Sequence, residues 1–218
     1  MSWDAVGYLG LALMAVGAVV AVHDFAVHGE REQAAVDTGR AAFDHWVRTR
    51  GGTPHDLPDP TAVLPAALRD RAQLVRLARR GEYEGGWITL VEYKEDDPDA
   101  EYLLAVTVPI PSRATAPHSS HAPRLGPRRW ARTLAGSLGL DEASSTELEE
   151  AAAASRGTLW AGDGHLTAIH PGLRQTVLRR GVAEPGVLVG VLDAVAGVGA
   201  VLGRGGEGPE AGEGPRDC

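Results

Sequence analysis

The chain has 218 residues and a formal net charge of −8, with 29 acidic and 21 basic side chains. This charge argues against a general nucleic-acid-binding protein, which presents a basic surface to phosphate groups. Cys218 is the only cysteine, so an intramolecular disulfide is excluded, in agreement with a reducing compartment.

Residues 5–22 form an apolar stretch without a charge, an amide or a proline. As a helix it would reach about 27 Å, close to the ~30 Å hydrocarbon core of a bilayer. A helix also satisfies its backbone groups where lipid offers no partners. We therefore predict an uncleaved transmembrane anchor over residues 1–27. A cleaved signal peptide, which normally has a basic start, and a buried core helix, which normally has a polar stripe, remain alternatives.

The charges that flank the apolar stretch predict its orientation. No lysine or arginine precedes it, whereas Arg31, Arg40, Arg48 and Arg50 follow it. The positive-inside rule then places the N-terminus outside and the rest of the chain in the cytoplasm. The sequence thus predicts a single-pass protein of the cell membrane.

One face of the predicted anchor carries small side chains. Gly10, Gly17 and Ala21 share this face, and the last two form a small-xxx-small step that lets two helices approach closely. This pattern predicts self-association of the anchor into a homodimer. An Ala- and Gly-rich chain also produces such spacing by chance.

The next 60 residues predict two helices and a loop. Apolar side chains recur at helical spacing from about residue 32 to residue 50, where Gly51 and Gly52 end the helix. Three prolines in residues 53–60 predict a loop. Residues 61–80 combine an apolar stripe with five arginines, which predicts a second, basic helix.

Two pairs of strands are predicted further along the chain. Residues 87–93 and 102–110 alternate in polarity around an acidic turn, which predicts an antiparallel hairpin. A second hairpin is predicted around the glycines at 162 and 164. Helices are predicted at residues 128–140, 141–155 and 173–180. The fold class is therefore α+β, with antiparallel hairpins packed against helices in a cytoplasmic domain over residues 28–202.

A second apolar segment, residues 187–202, contains Asp193 near its middle. A carboxylate at the bilayer centre costs about 2.5–3.5 kcal/mol, so we predict a helix packed on the sheet with Asp193 at the solvent edge. A second membrane segment is the alternative. Residues 203–218 are rich in Gly, Glu and Pro and predict a disordered tail.

A basic stretch is the main candidate surface. It lacks acidic residues and predicts contact with anionic lipid head groups or with an acidic protein partner. Its residues are Arg113, Arg124, Arg128, Arg129 and Arg132, together with Trp130. The alternative is pairing with the acidic run at 141–150 of the same chain.

Other candidate sites are weaker. His118 and His121 are close enough in sequence to share a metal, but a site needs further ligands, such as His165 or His170. Solvated loop histidines are the simpler interpretation. A Gly-x-Gly-x-x-Gly pattern at 203–208 follows a helix instead of a strand, so it does not predict a dinucleotide site. No catalytic or cofactor-binding residue is predicted.

Several short segments carry a resemblance at the level of architecture. They are residues 47–52, 81–85 with 91–93, and 162–164 before 188–202. In this layout the chain resembles a broad group of actinobacterial membrane-anchored proteins of unknown function, and the resemblance implies no catalytic residues. The sequence predicts a non-enzymatic, membrane-tethered interaction or regulatory module. The alternative is a membrane-anchored hydrolase that is metal-dependent or uses histidines.

Overall fold

The computed structural model describes residues 3–83, 86–97, 100–111, 126–162, 164–179 and 182–204, with side-chain surroundings from residue 26 onward except at residues 67 and 179. In chain order, the elements are α1 (Trp3–Thr49), β1 (Thr53–Asp56), α2 (Ala66–Arg69), β2 (Ala72–Tyr83), β3 (Gly86–Glu95), β4 (Tyr102–Pro109), α3 (Pro127–Leu138), α4 (Glu142–Ser155), β5 (Thr158–Gly162), β6 (His165–Pro171), α5 (Leu173–Val177), β7 (Leu178–Arg179), β8 (Val182–Ala183) and α6 (Pro185–Arg204).

The main sheet has six antiparallel strands in the order β1-β2-β3-β4-β6-β5. Both predicted hairpins are confirmed, since β3 pairs with β4 and β5 with β6. The α+β class with an antiparallel sheet and helices is also confirmed. A two-stranded ribbon, β7-β8, stands apart from this sheet.

The predicted helix over residues 61–80 is wrong. Only Ala66–Arg69 is helical, and Ala72–Tyr83 is a long strand. Helical spacing of the leucines is outweighed by pairing with β3, which runs from Ala72 opposite Glu95 to Tyr83 opposite Gly86. Residues 53–56, predicted as loop, form edge strand β1, where Pro54 is tolerated because an edge position needs no further donor.

Helices cover one face of the sheet. The second half of α1 packs on α5, α6 and β2, while α3 packs on α4 and α4 on α6. Phe43 and Trp46 of α1 are buried in this layer with Leu90 and Leu104 of the sheet. On the opposite face, Leu64 and a few neighbours of the 57–68 segment cover part of β3 and β4 and form a second, smaller core.

Helix α1 is one continuous element from Trp3 to Thr49. It ends as predicted at the two glycines, where Gly51 adopts a positive φ of 69°. The predicted boundary between anchor and domain at residue 27 therefore lies inside a helix. That residues 5–22 cross a membrane stays a prediction.

Helix α6 confirms the predicted helix over residues 187–202 and its packing. It contacts α4, α1, β4 and β6. Asp193 lies at its exposed edge, where its Oδ1 accepts a 2.8 Å hydrogen bond from Trp46 Nε1 and pairs with Arg50. Among the residues whose side chains are described, α6 alone is long and apolar enough to span a membrane, and 44% of its apolar stretch is buried inside the protein. Residues 205–218, most of the predicted disordered tail, lie outside the described residues.

Two glycines of α1 provide a matched test of its packing. A Cβ added at Gly39 would lie 2.6 Å from Leu173 Cδ2 of α5, whereas one at Gly29 would meet nothing within 4 Å. We expect Gly29→Ala to raise the free energy of unfolding by up to about 1 kcal/mol through helix propensity. We expect Gly39→Ala to lower it by about 1–3 kcal/mol through overpacking. Urea unfolding of the full chain in detergent, followed by circular dichroism, measures both, and equal effects would contradict the α1–α5 contact.

Candidate functional site

A buried carboxylate lies at one end of the helix-facing side of the sheet. Ile88, Leu90 and Glu92 alternate inward along β3, so the glutamate occupies the last of three core positions, and no part of it is exposed. Glu92 Oε1 accepts a 2.6 Å hydrogen bond from the backbone N of Leu173. A buried carboxylate is tolerated only when it is paired in this way.

Arg76 supplies the countercharge to Glu92. Its Nη2 lies 3.0 Å from Glu92 Oε1, and its Nε donates to Oε2 at 3.1 Å. Strand β2 has a register irregularity between Val75 and Leu77. Such bulges re-aim a side chain, and here the irregularity places Arg76 against the glutamate. The Arg76 guanidinium also stacks 3.4 Å from the ring centroid of Tyr102.

Helix α1 joins this network through Glu32. Its carboxylate pairs with Arg76 and accepts a hydrogen bond from Arg174 Nη1 at 3.3 Å. The same Nη1 lies 2.6 Å from His28 Nε2, one turn earlier on α1. One glutamate of α1 therefore holds together the helix, strand β2 and helix α5.

A cavity of about 750 Å³ opens beside this network. Three arginines, two glutamates and a histidine supply its charged and titratable lining: Arg31, Arg76, Arg174, Glu32, Glu101 and His28. Glu32 is engaged by two arginines, and Glu101 Oε2 accepts a 2.5 Å hydrogen bond from Gln175. Arg76 is shared between Glu32 and Glu92, so Arg31 and Arg174 are the lining arginines that retain donors unused by these carboxylates.

The cavity lies at the end of the domain from which residues 3–27 of α1 extend, here called the cavity end. Glu32 meets Arg76 and Asp44 meets Arg79, so α1 and β2 run in the same direction. The start of β2, the β7-β8 ribbon and the first turn of α6 share this end, because Leu178 of β7 lines the cavity and α6 follows the ribbon directly.

Exposed apolar side chains mark the same end. Leu74 is 53% exposed at the start of β2, Val182 is 64% exposed on β8, and Val187 is 43% exposed in the first turn of α6. These are the large hydrophobic side chains that the described part of the chain exposes. All three belong to segments that lie at the cavity end.

The predicted basic stretch is divided by the structure. Arg132 is held by Glu149 in a bidentate pair of 3.0 and 2.8 Å, and the pKa of Arg132 is raised by this hydrogen bond. The alternative of internal charge pairing is thus realised for Arg132. Trp130 is half-buried against the core, whereas Arg128 and Arg129 are exposed at the start of α3. Arg113 and Arg124 lie outside the described residues.

The histidines are not brought together where they can be placed. His165 and His170 occupy opposite ends of β6, opposite Pro109 and Leu104 respectively. His118 and His121 lie outside the described residues. Within the described ranges, no group of three or more His, Cys, Asp or Glu side chains is arranged to hold a metal ion.

The predicted self-association face belongs to the first half of α1. Gly10, Gly17 and Ala21 are helical, but their side-chain surroundings fall outside the described residues. The homodimer therefore stays a prediction.

His170 is the buried histidine of the sheet. Only 5% of it is exposed, and its Nε2 has no hydrogen-bond partner. Gly157 makes room for it, since a Cβ there would lie 2.6 Å from Nε2. Burial disfavours the charged imidazole and lowers the pKa of His170 from 6.5 to about 4. It is a neutral core residue at physiological pH.

The cavity residues were missed in the sequence because they come from four separate segments. One signal was present in the sequence. Glu92 continues the alternation of Ile88 and Leu90, so a charged residue occupies a position on the strand face that is otherwise apolar. A charge at such a position requires a buried partner. Nothing in the sequence identified Arg76 as that partner, since residues 61–80 were predicted to be helical.

Comparisons of the chain with protein-family models, with curated proteins and with solved structures gave no match.

The pKa of His170 predicts a loss of stability in acid. Between pH 6.5 and about 4 the unfolded chain binds a proton that the folded chain does not, so stability falls as the pH falls. From pH 7 to pH 5 we expect a loss on the order of 2 kcal/mol in the free energy of unfolding. Denaturant unfolding at both pH values measures it. His170→Leu should reduce this difference and the exposed control His45→Gln should retain it; an unchanged difference in His170→Leu would contradict the assignment.

Proposed function

We propose that this protein is a non-enzymatic interaction or regulatory module tethered to the cell membrane by the first half of α1. The observation that carries the proposal is the continuity of α1 from Trp3 to Thr49. Residues 5–22 supply an apolar length that suits a bilayer, and residues 35–47 pack into the domain core. One helix thus connects the proposed anchor to the domain without a flexible linker.

Exposed apolar side chains at the cavity end support the same proposal. Leu74, Val182 and Val187 are exposed at the cavity end. On α1, the first cavity-lining residue, His28, follows the apolar stretch by six residues, or roughly 9 Å of helix. Apolar side chains with arginines beside them suit the boundary between head groups and acyl chains. The proposed orientation places this end against the cytoplasmic leaflet.

Arg128 and Arg129 provide a proposed contact surface for anionic lipid or an acidic protein. Both are exposed at the N-terminal end of α3, and their neighbour Arg132 is engaged by Glu149. Self-association through Gly10, Gly17 and Ala21 is proposed on spacing alone. The resemblance to actinobacterial single-span proteins remains a hypothesis.

The alternative function, a metal-dependent or histidine-using hydrolase, depends on His118 and His121. Both lie outside the described residues, and the placed His165 and His170 are separated along β6. Nothing in the described ranges favours this alternative over the tethered module.

Anchoring predicts that the full chain resists alkaline extraction from membranes. Leu13→Arg combined with Val16→Arg should release it, because each arginine near the bilayer centre costs about 2.5–3.5 kcal/mol. The matched control, Leu13→Ile with Val16→Leu, should remain in the membrane pellet. Wild-type protein recovered in the carbonate supernatant would refute the anchor.

The orientation predicts which residues react with a membrane-impermeant maleimide. Cys218, the single cysteine, should be labelled only after the membrane is permeabilised. In a Cys218→Ser background, Ser2→Cys should be labelled in spheroplasts with intact membranes. The proposed topology would be contradicted if Cys218 of the wild type were labelled in intact spheroplasts and Ser2→Cys of the variant were not.

A further inference from the structure

We propose that the cavity beside Glu32 binds the phosphate group of a phospholipid through Arg31 and Arg174. The inference rests on the proposed membrane tether, which brings the cavity end to the head-group region. It adds a defined binding site and a ligand class to that function. The ligand class follows from the arginines that line the cavity and from which of them the protein already pairs.

Arg31 is a lining arginine for which the described residues supply no partner. It lines the cavity, its side chain is exposed, and it makes no hydrogen bond or ion pair with the described part of the chain. Arginine binds phosphate oxygens in a planar, two-point geometry and is only weakly hydrated. An unpaired guanidinium at a concave surface is therefore suited to an oxyanion.

Arg174 supplies a second donor group. Its contacts with His28 and Glu32 are all made by Nη1. Its Nη2 and Nε make no hydrogen bond with the described residues, so the N–H groups of both nitrogens remain for a ligand. The bond to His28 fixes the guanidinium in place, which reduces the entropy lost when a ligand binds.

The lining offers two arginines to one anionic group. Arg76 is occupied by Glu32 and Glu92, and Glu101 is hydrogen-bonded to Gln175. Arg31 and Arg174 are therefore the donors left for the oxygens of a lipid phosphodiester. Leu178 and the half-buried Tyr102 complete the lining with apolar surface that suits the glycerol and upper acyl chain.

The surroundings favour a lipid over a soluble phosphate ester. Leu74, Val182 and Val187 are exposed around the same end and would be covered by acyl chains. Arg31 follows the apolar stretch by nine residues, about 14 Å of helix, and the side chains of a helix lean toward its N-terminus, so its guanidinium is directed back toward the head-group region. A soluble phosphate ester would use the arginines but would leave these apolar side chains in water.

The test uses the full chain in phosphate-free detergent micelles. Phosphatidylglycerol is titrated and bound lipid is counted by native mass spectrometry. We expect one tightly retained phosphatidylglycerol, with affinity about tenfold lower in Arg31→Ala and lower still when Arg174→Ala is added. Arg40→Ala, an exposed arginine further along α1, is the matched control and should bind as the wild type does.

The single variant Arg31→Ala keeps the test decisive if the double variant fails to fold, since Arg31 has no partner among the described residues to lose. Diacylglycerol with the same acyl chains should not be retained. Equal retention of diacylglycerol, or unchanged affinity in Arg31→Ala, would overturn the proposal. Glycerol 3-phosphate binding as tightly as phosphatidylglycerol would overturn the lipid assignment.

Failure of the tether has a different signature. A chain that leaves the membrane in alkali but binds phosphate esters through Arg31 would refute the anchor alone. A chain that resists extraction but binds phosphatidylglycerol independently of Arg31 and Arg174 would refute the cavity site alone.

Discussion

The structure depends on how it neutralises one carboxylate in its interior. Glu92 has no contact with solvent and is held by Arg76 and by the backbone N of Leu173. Removing one partner from a buried ion pair costs far more than the pair contributes, so the three segments that carry these groups must fold together. Glu32 extends the constraint to α1. The helix that we propose as an anchor is thereby joined to the sheet by charge as well as by packing.

A second polar contact acts at the other end of α1. Asp193 is the one carboxylate within α6, and it joins Trp46 and Arg50. Between this contact and Glu32, Ala35, Val36 and Phe43 are buried. The C-terminal half of α1 is therefore fixed to the domain along its length, so the domain moves together with the N-terminal half of the helix. Because α1 is fixed to the domain, the position of its N-terminal half determines where the cavity end lies.

The local signals in the sequence located most elements but not the contacts between them. Alternation around residues 87–110 and a glycine turn at 162–164 were sufficient for both hairpins, because hairpin pairing is local. Residues 61–80 were wrongly predicted as a helix because their leucines recur at helical spacing. The strand that forms there, β2, is stabilised by pairing with β3, which local spacing does not reveal. Arg76 and Arg79 of β2 pair with Glu32, Asp44 and Glu92, which lie 16 to 44 residues away in sequence. The cavity could not be predicted for the same reason.

The irregular start of β2 has a further consequence for assembly. Strand β1 pairs only with residues 79–82 of β2, and Leu57 adds one bond to Ala78, so in the described structure the first half of β2 is an open sheet edge. A regular open edge is a template for strand addition by a second chain. Two irregularities in register, between Ala72 and Leu74 and between Val75 and Leu77, interrupt the row of backbone groups. The distortion that positions Arg76 thus also protects the sheet against edge-to-edge aggregation.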